Sequence, residues 1–126
     1  LADARPSVHV DHGGFLPDSQ ATLRLIEELH DPWVRINLDT GNYLEPDPYA
    51  GLEASLPFAP HVVAKIHRLG QDGEEQTLDY DKIFAMLTRR HYHGFVTVEY
   101  EGEADELEAV PQAVAMLRRL GAKYEL

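Results

Sequence analysis

Four apolar runs in this chain end on polar or charged residues, and they recur at a nearly constant interval. Val8-His9-Val10 leads to Asp11 and His12, Ile36-Asn37-Leu38 to Asp39, Val62-Val63-Ala64 to Lys65, and Val96-Thr97-Val98 to Glu99. With Val10, Leu38, Ile66 and Val98 as strand ends, the intervals are 28, 28 and 32 residues. Strands are predicted over 8–10, 34–38, 62–66 and 95–100, and helical patterns fill the gaps. Leu23, Leu25, Ile26 and Leu29 follow Asp18 or Ser19 as a cap. A second helix starts at Asp47-Pro48, runs towards Leu56 and stops at Pro57. Asp79 caps a third, with Ile83, Phe84 and Leu87 on one face, after a loop at Gly70-Gln71-Asp72-Gly73. A last helix holds Leu107, Val110, Val114, Leu117 and Leu120, and Pro111 within it predicts a kink or a late start.

A strand–helix unit of about 30 residues is the repeat of a (β/α)8 barrel of about 250 residues. The sequence therefore predicts an α/β fold with parallel strands, one domain over residues 1–126 supplying about four βα units, or half a barrel. A small open four-stranded sheet is the alternative, and no glycine-rich phosphate loop favours a nucleotide-binding version of it. Half a barrel has two unpaired edges, which call for a missing N-terminal half or a homo-oligomer. The opening Leu1-Ala2-Asp3-Ala4-Arg5 has no initiator Met, which fits a fragment.

Composition narrows the partners. With 22 acids against 11 bases the net charge is −11, and the Lys/Arg pairs Arg89-Arg90 and Arg118-Arg119 make no basic groove. Nucleic acid and anionic membranes are disfavoured on that ground. No apolar run approaches the roughly 20 residues of a membrane span. The chain has no Cys, which excludes disulfides, thiolate catalysis and Cys-based zinc sites and fits a reducing compartment; a cytoplasmic location is expected.

Ligands of parallel sheets sit beyond the strand C-termini, where the charged residues fall. Asp39 alternates with Arg35 and Asn37, and Glu99 with Thr97, so both acids lie on the less apolar face of their strands, the inward face of a barrel. Inward acids at the open end suit a hard divalent cation. Each also has a plain reading: Asp39 as a turn acid over Thr40-Gly41-Asn42, Glu99 as a solvated strand-end charge. Lys65 shares a face with Val63 and His67; it polarises a carbonyl or holds an oxyanion, or else forms a salt bridge to Asp39 or Glu99. His12 precedes Gly13-Gly14, where backbone can approach a ligand closely, although a loop His is more often structural or solvated. His91 and His93 precede the fourth strand, on the barrel's stability face, and are rejected as metal ligands.

Taken together, Asp11-His12-Gly13-Gly14, Asp39-Thr40-Gly41-Asn42, Asp47-Pro48-Tyr49, Ala64-Lys65 through Leu78-Asp79-Tyr80, and Glu99-Tyr100-Glu101-Gly102 resemble, in order and spacing, the C-terminal half of sugar phosphate isomerase/epimerase proteins, the xylose isomerase-like TIM barrels. The resemblance covers nearly the whole chain, as strands five to eight. It implies a divalent metal (Mn, Mg, Co or Zn) held by a Glu, an Asp, a His and a second Glu, with the two Glu residues moving protons on a sugar. Asp39 and Glu99 fall on the Asp and the last Glu. Two positions depart: Val10 stands where the first Glu should be, and Val63 where the His would lie. Asp11 can replace the first Glu as a metal ligand. Asn42 sits where some epimerases carry a substrate-facing His.

The resulting expectation is an enzyme acting on a sugar or polyol by proton abstraction next to a carbonyl. Glu99 serves as base, Lys65 as electrophile, His12, Asn42 and His67 as substrate-binding groups, and Asp39, Glu99 and Asp11 as metal ligands. A non-catalytic sugar-binding member with a degenerate metal site competes with it. An apurinic-site nuclease, the third option, needs a multi-metal cluster and a basic groove that the charge disfavours.

Overall fold

A computed structural model describes residues 7–8 and 14–126. Its elements alternate along the chain: β1 (Ser7–Val8), α1 (Ser19–Leu29), β2 (Arg35–Asp39), α2 (Pro48–Ser55) with a 3-10 turn (Leu56–Phe58), β3 (His61–Ile66), α3 (Tyr80–Arg89), β4 (Phe95–Tyr100) and α4 (Glu106–Tyr124). The strands pair in the order β1-β2-β3-β4, and every pairing is parallel. This is the predicted succession of four βα units. Asp39 is the last residue of β2 itself, one position beyond the predicted strand end.

Each α-helix begins at an aspartate whose carboxylate accepts backbone N–H groups of the first turn: Asp18 from Ala21, Asp47 from Tyr49 and Ala50, Asp79 from Lys82, Asp105 from Leu107. Such caps satisfy donors that the helix cannot satisfy itself. The second α-helix ends at Ser55, short of Pro57, and tightens into the 3-10 turn that contains the proline. Pro111 does not delay the last helix either, which starts at Glu106 and runs through the proline. The buried stripe of α4 is Ala109, Ala113, Met116, Leu117 and Leu120, and Leu107 faces solvent.

Register divides the sheet into two faces. Ile36, Leu38, Val62, Ala64 and Ile66 join Ile83, Phe84, Leu87, Met116 and Leu120 in one apolar core. On the other face Asp39 lies opposite Val63, Val63 opposite Thr97, and Lys65 opposite Glu99. Near-neighbours on that face include Asn37 beside His61, whose ring is 2.8 Å from Thr97 Oγ1. The polar face is thus the one turned away from the helices, and at its lower end Phe95 is 72% exposed. Among the described residues no helix is long and apolar enough to cross a membrane.

The C-terminal edge of the sheet is braced by three buried polar groups. Lys65 N–H donates to Thr40 Oγ1 at 3.0 Å, Thr40 Oγ1 lies 2.9 Å from Tyr80 Oη, and Tyr80 Oη donates to the Lys65 carbonyl at 2.6 Å. That closed ring fixes the Lys65 backbone against β2 and α3. Beyond β3, the Glu75 carboxylate accepts the backbone N–H groups of His67, Arg68, Thr77 and Leu78 and so shapes the loop into α3. Gly102 lets the chain leaving β4 run against β3, because a Cβ there would lie 2.3 Å from the His67 carbonyl oxygen.

Tyr80→Phe removes the hydroxyl on which two bonds of the ring depend, and is expected to cost about 1–3 kcal/mol in urea unfolding. Glu75 gives a pH signature. Burial alone would raise its pKa, but the Thr77 hydroxyl and the Leu78, Arg68 and Thr77 N–H groups outweigh burial and hold it below the ordinary value of 4.5. A depressed carboxylate stabilises the fold above its unfolded pKa and stops doing so as pH falls through its folded pKa. Stability measured from pH 6 downwards should therefore decline below about pH 4.5, and Glu75→Gln should flatten that decline by up to about one proton while lowering stability at neutral pH.

Candidate functional site

At the C-terminal ends of β2, β3 and β4 the polar face gathers one cation and three acids. Strand β3 presents Lys65 between Asp39 of β2 and Glu99 of β4, all three on one face because the parallel register aligns them. The alternation of β4 then carries Glu101, just past the strand, onto the same face. Lys65 Nζ lies 2.7 Å from Glu101 Oε1, 3.1 Å from Asp39 Oδ2 and 3.2 Å from Glu99 Oε1. Lys65 and Asp39 are buried, whereas the Glu99 and Glu101 side chains are 46% and 50% exposed. Two carboxylates thus reach solvent, and the ammonium and the third carboxylate lie beneath them.

Asp39 uses its two oxygens differently, and the turn-acid reading accounts for one of them. Oδ1 accepts the Gly41 N–H at 2.9 Å, as a turn acid does, and Oδ2 faces Lys65. Burial pushes its pKa up, and the Gly41 N–H and Lys65 counter that push. For Lys65, burial works to lower the pKa, but the hydrogen bonds to Glu101 and Asp39 prevail and hold it above the ordinary lysine value. The Lys65 bond in turn holds Glu101 below the usual carboxylate range. The lysine is therefore charged, and it is bound to both of the acids the salt-bridge reading offered.

Gly41 makes room for this arrangement. A Cβ there would stand 2.5 Å from Lys65 Cγ and 3.3 Å from His67 Nε2, so the lysine stem and the His67 ring lie directly over the turn. His67 is half-buried and close enough to Glu101 to help depress its pKa. Asn42 is half-buried in the same turn, its N–H 3.4 Å from the Asp39 carbonyl oxygen. Val63 lies between Asp39 and Thr97 and contributes only an apolar floor. Val10, Asp11 and His12 fall outside the described residues. His91 and His93 sit in the exposed turn before β4, at the opposite end of the strands from Lys65.

Sequence reasoning brought together Asp39, Lys65, His67 and Glu99 but gave Glu101 no role, although Glu101 makes the shortest of the three lysine contacts. The signal was present: Glu99 and Glu101 continue the period-two alternation that places Thr97 inward. Glu75 has no such signal, because a loop acid becomes a buried acceptor only once the loop has closed on it.

A divalent cation is the group that the resemblance implies here, and the oxygens of Asp39, Glu99 and Glu101 are of the right kind. Their common centre, however, is taken by Lys65 Nζ. Among the described residues no group of three or more His, Cys, Asp or Glu is placed to hold a metal. The described donors do not fit a divalent cation while Lys65 stands among them.

Comparison with known proteins agrees with this architecture. A crystal structure of 3-keto-D-glucoside 4-epimerase from E. coli, in its apo form, superposes with a TM-score of 0.69 at 25% identity, over 86% of this chain and 41% of that one. The alpha subunit of a C-glycoside deglycosidase from Arthrobacter globiformis is 23% identical over 95 residues, 70% of this chain and 26% of the relative. The chain therefore spans less than half the length of either protein. Residues 8–120 match the model of the xylose isomerase-like TIM barrel family. With parallel βα units, a polar inner face and a match over nearly all its length, the chain belongs to the xylose isomerase-like TIM barrel family.

Proposed function

We propose that this protein acts on a sugar or polyol by removing a proton next to a carbonyl, in an isomerisation, epimerisation or elimination. The observation that carries the reading is the setting of Glu99: a half-exposed carboxylate at the end of a parallel strand, 3.2 Å from a buried ammonium. Glu99 is the base. The proton passes from carbon to its carboxylate and the electron density moves to the carbonyl oxygen as an enolate; protonation of the same carbon from the opposite face completes an epimerisation, protonation at the neighbouring carbon an isomerisation, and departure of a group on the adjacent carbon with its electron pair an elimination. Lys65 has three N–H donors, and three carboxylates already take them. It therefore serves an oxyanion only by turning one N–H away from Glu101, the exposed partner that is not the base. Asp39 anchors the lysine from below. Asn42, His67 and His12 contact the substrate's hydroxyls.

The relatives support the substrate class. One is an epimerase of a 3-keto-D-glucoside and the other a C-glycoside deglycosidase subunit, and a ketone acidifies the C–H bonds beside it. The inner face, open in these four strands, is completed by further βα units or by a second copy. A second reading, sugar binding without catalysis, is favoured by one observation: Lys65 already engages the acids that would do chemistry.

The test is deuterium uptake from D2O into a 3-keto-D-glucoside, followed by NMR with the full-length protein. Exchange next to the ketone is expected, slowed at least ~100-fold in Glu99→Gln. Equal rates in wild type and Glu99→Gln would remove Glu99 from its role. Sugar binding with no exchange would favour the binding-only reading.

A further inference from the structure

Three carboxylates approach one point from the ends of β2 and β4, and carboxylate oxygens are the donors that a hard divalent cation takes. In this chain the centre of that cluster is filled by a side chain. Lys65 Nζ is within 3.2 Å of Asp39, Glu99 and Glu101, so each of its three donors has an anionic acceptor. Nor is the lysine a surface group that has settled there. It is 4% exposed, its stem passes over Gly41 so closely that no Cβ fits beneath it, and its backbone is fixed by the Thr40–Tyr80 ring. A divalent ion on the same oxygens would stand at contact distance from a fixed positive charge, and the lysine has no second cluster of acceptors to move to among these contacts. Val63, on the same face, offers no ligand in compensation.

We infer that Lys65 is a built-in cation: its ammonium takes the place among Asp39, Glu99 and Glu101 that a divalent metal would need, and this site orders its carboxylates without one. The inference stands on the carboxylate geometry and holds whichever reaction the site performs.

Mn2+ binding to the full-length protein, read from loss of the free-ion EPR signal, is a test separate from turnover. Wild type should show no Mn2+ site that Asp39→Asn removes. Lys65→Ser, which leaves three acids around a vacated centre, should bind Mn2+ at least ten-fold more tightly than wild type, and adding Asp39→Asn should reverse the gain. A stoichiometric wild-type site abolished by Asp39→Asn would overturn the inference, as would a folded Lys65→Ser that binds Mn2+ no better than wild type. Where Lys65→Ser does not fold, the wild-type comparison with Asp39→Asn decides.

Discussion

Burying an ammonium is costly unless its donors are met by acceptors, and an incomplete set of partners is worse than none. Lys65 is buried in the middle strand, and much of the surrounding structure follows from satisfying it. Asp39 has to end β2 on the same face as Lys65, opposite Val63 and so two residues before the lysine, which the β2–β3 register provides. Glu99 and Glu101 have to approach from the other side, which requires β4 to stay in register through Tyr100 and the chain beyond it to remain close to β3. Gly102 permits that close approach and Gly41 admits the lysine stem. Removing one carboxylate would leave the buried charge short of a partner, so the cluster is coupled: Asp39, Glu99 and Glu101 share one donor group, and substitutions among them should not be additive.

The strong acidity of the chain divides along similar structural lines. Four aspartates are consumed as helix caps, and Glu75 is consumed as the acceptor that closes the β3–α3 loop. Asp39, Glu99 and Glu101 surround the lysine. A net charge of −11 therefore says less about a charged ligand than it first suggests, because several of these acids are bound to backbone N–H groups or to Lys65.

The helix and strand succession could be read from the sequence because it rests on local signals. Asp18, Asp47 and Asp79 mark helix starts, and the Ile36/Leu38 and Val96/Val98 alternation marks strand faces, without knowledge of the rest of the chain. Pro111 and Leu107 misled for the opposite reason. Pro111 lies in the second turn of α4, past the first N–H groups that lack acceptors, so the helix runs through it at the loss of one i→i−4 bond, and Leu107 matched the apolar spacing while Ala109 and Ala113 took the core positions. The site was readable only as far as single strands allowed. That Asp39 and Lys65 face the same way follows from alternation within each strand; that they meet at 3.1 Å follows from the register between strands, which no local pattern encodes. The Thr40–Tyr80–Lys65 ring spans three elements and was invisible for the same reason.

An ammonium and a metal ion order carboxylates in different ways, and the difference bears on what the site can do. A metal can hold several acids and still accept a lone pair from the substrate, because its coordination sphere can expand or exchange water. An ammonium has three donors and no open position, so every N–H given to a substrate oxygen is taken from a carboxylate. In this cluster the buried Asp39 is poorly placed to give way, since its other oxygen is held by Gly41. The exposed pair is Glu99 and Glu101. If Glu99 must stay oriented to accept a proton, Glu101 is the group that releases the lysine, and a freed Glu101 has water beside it to receive its charge. Substrate entry would then be coupled to an exchange of Lys65 partners, so Glu101, which binds the lysine most closely, would set how readily the ammonium reaches a developing oxyanion.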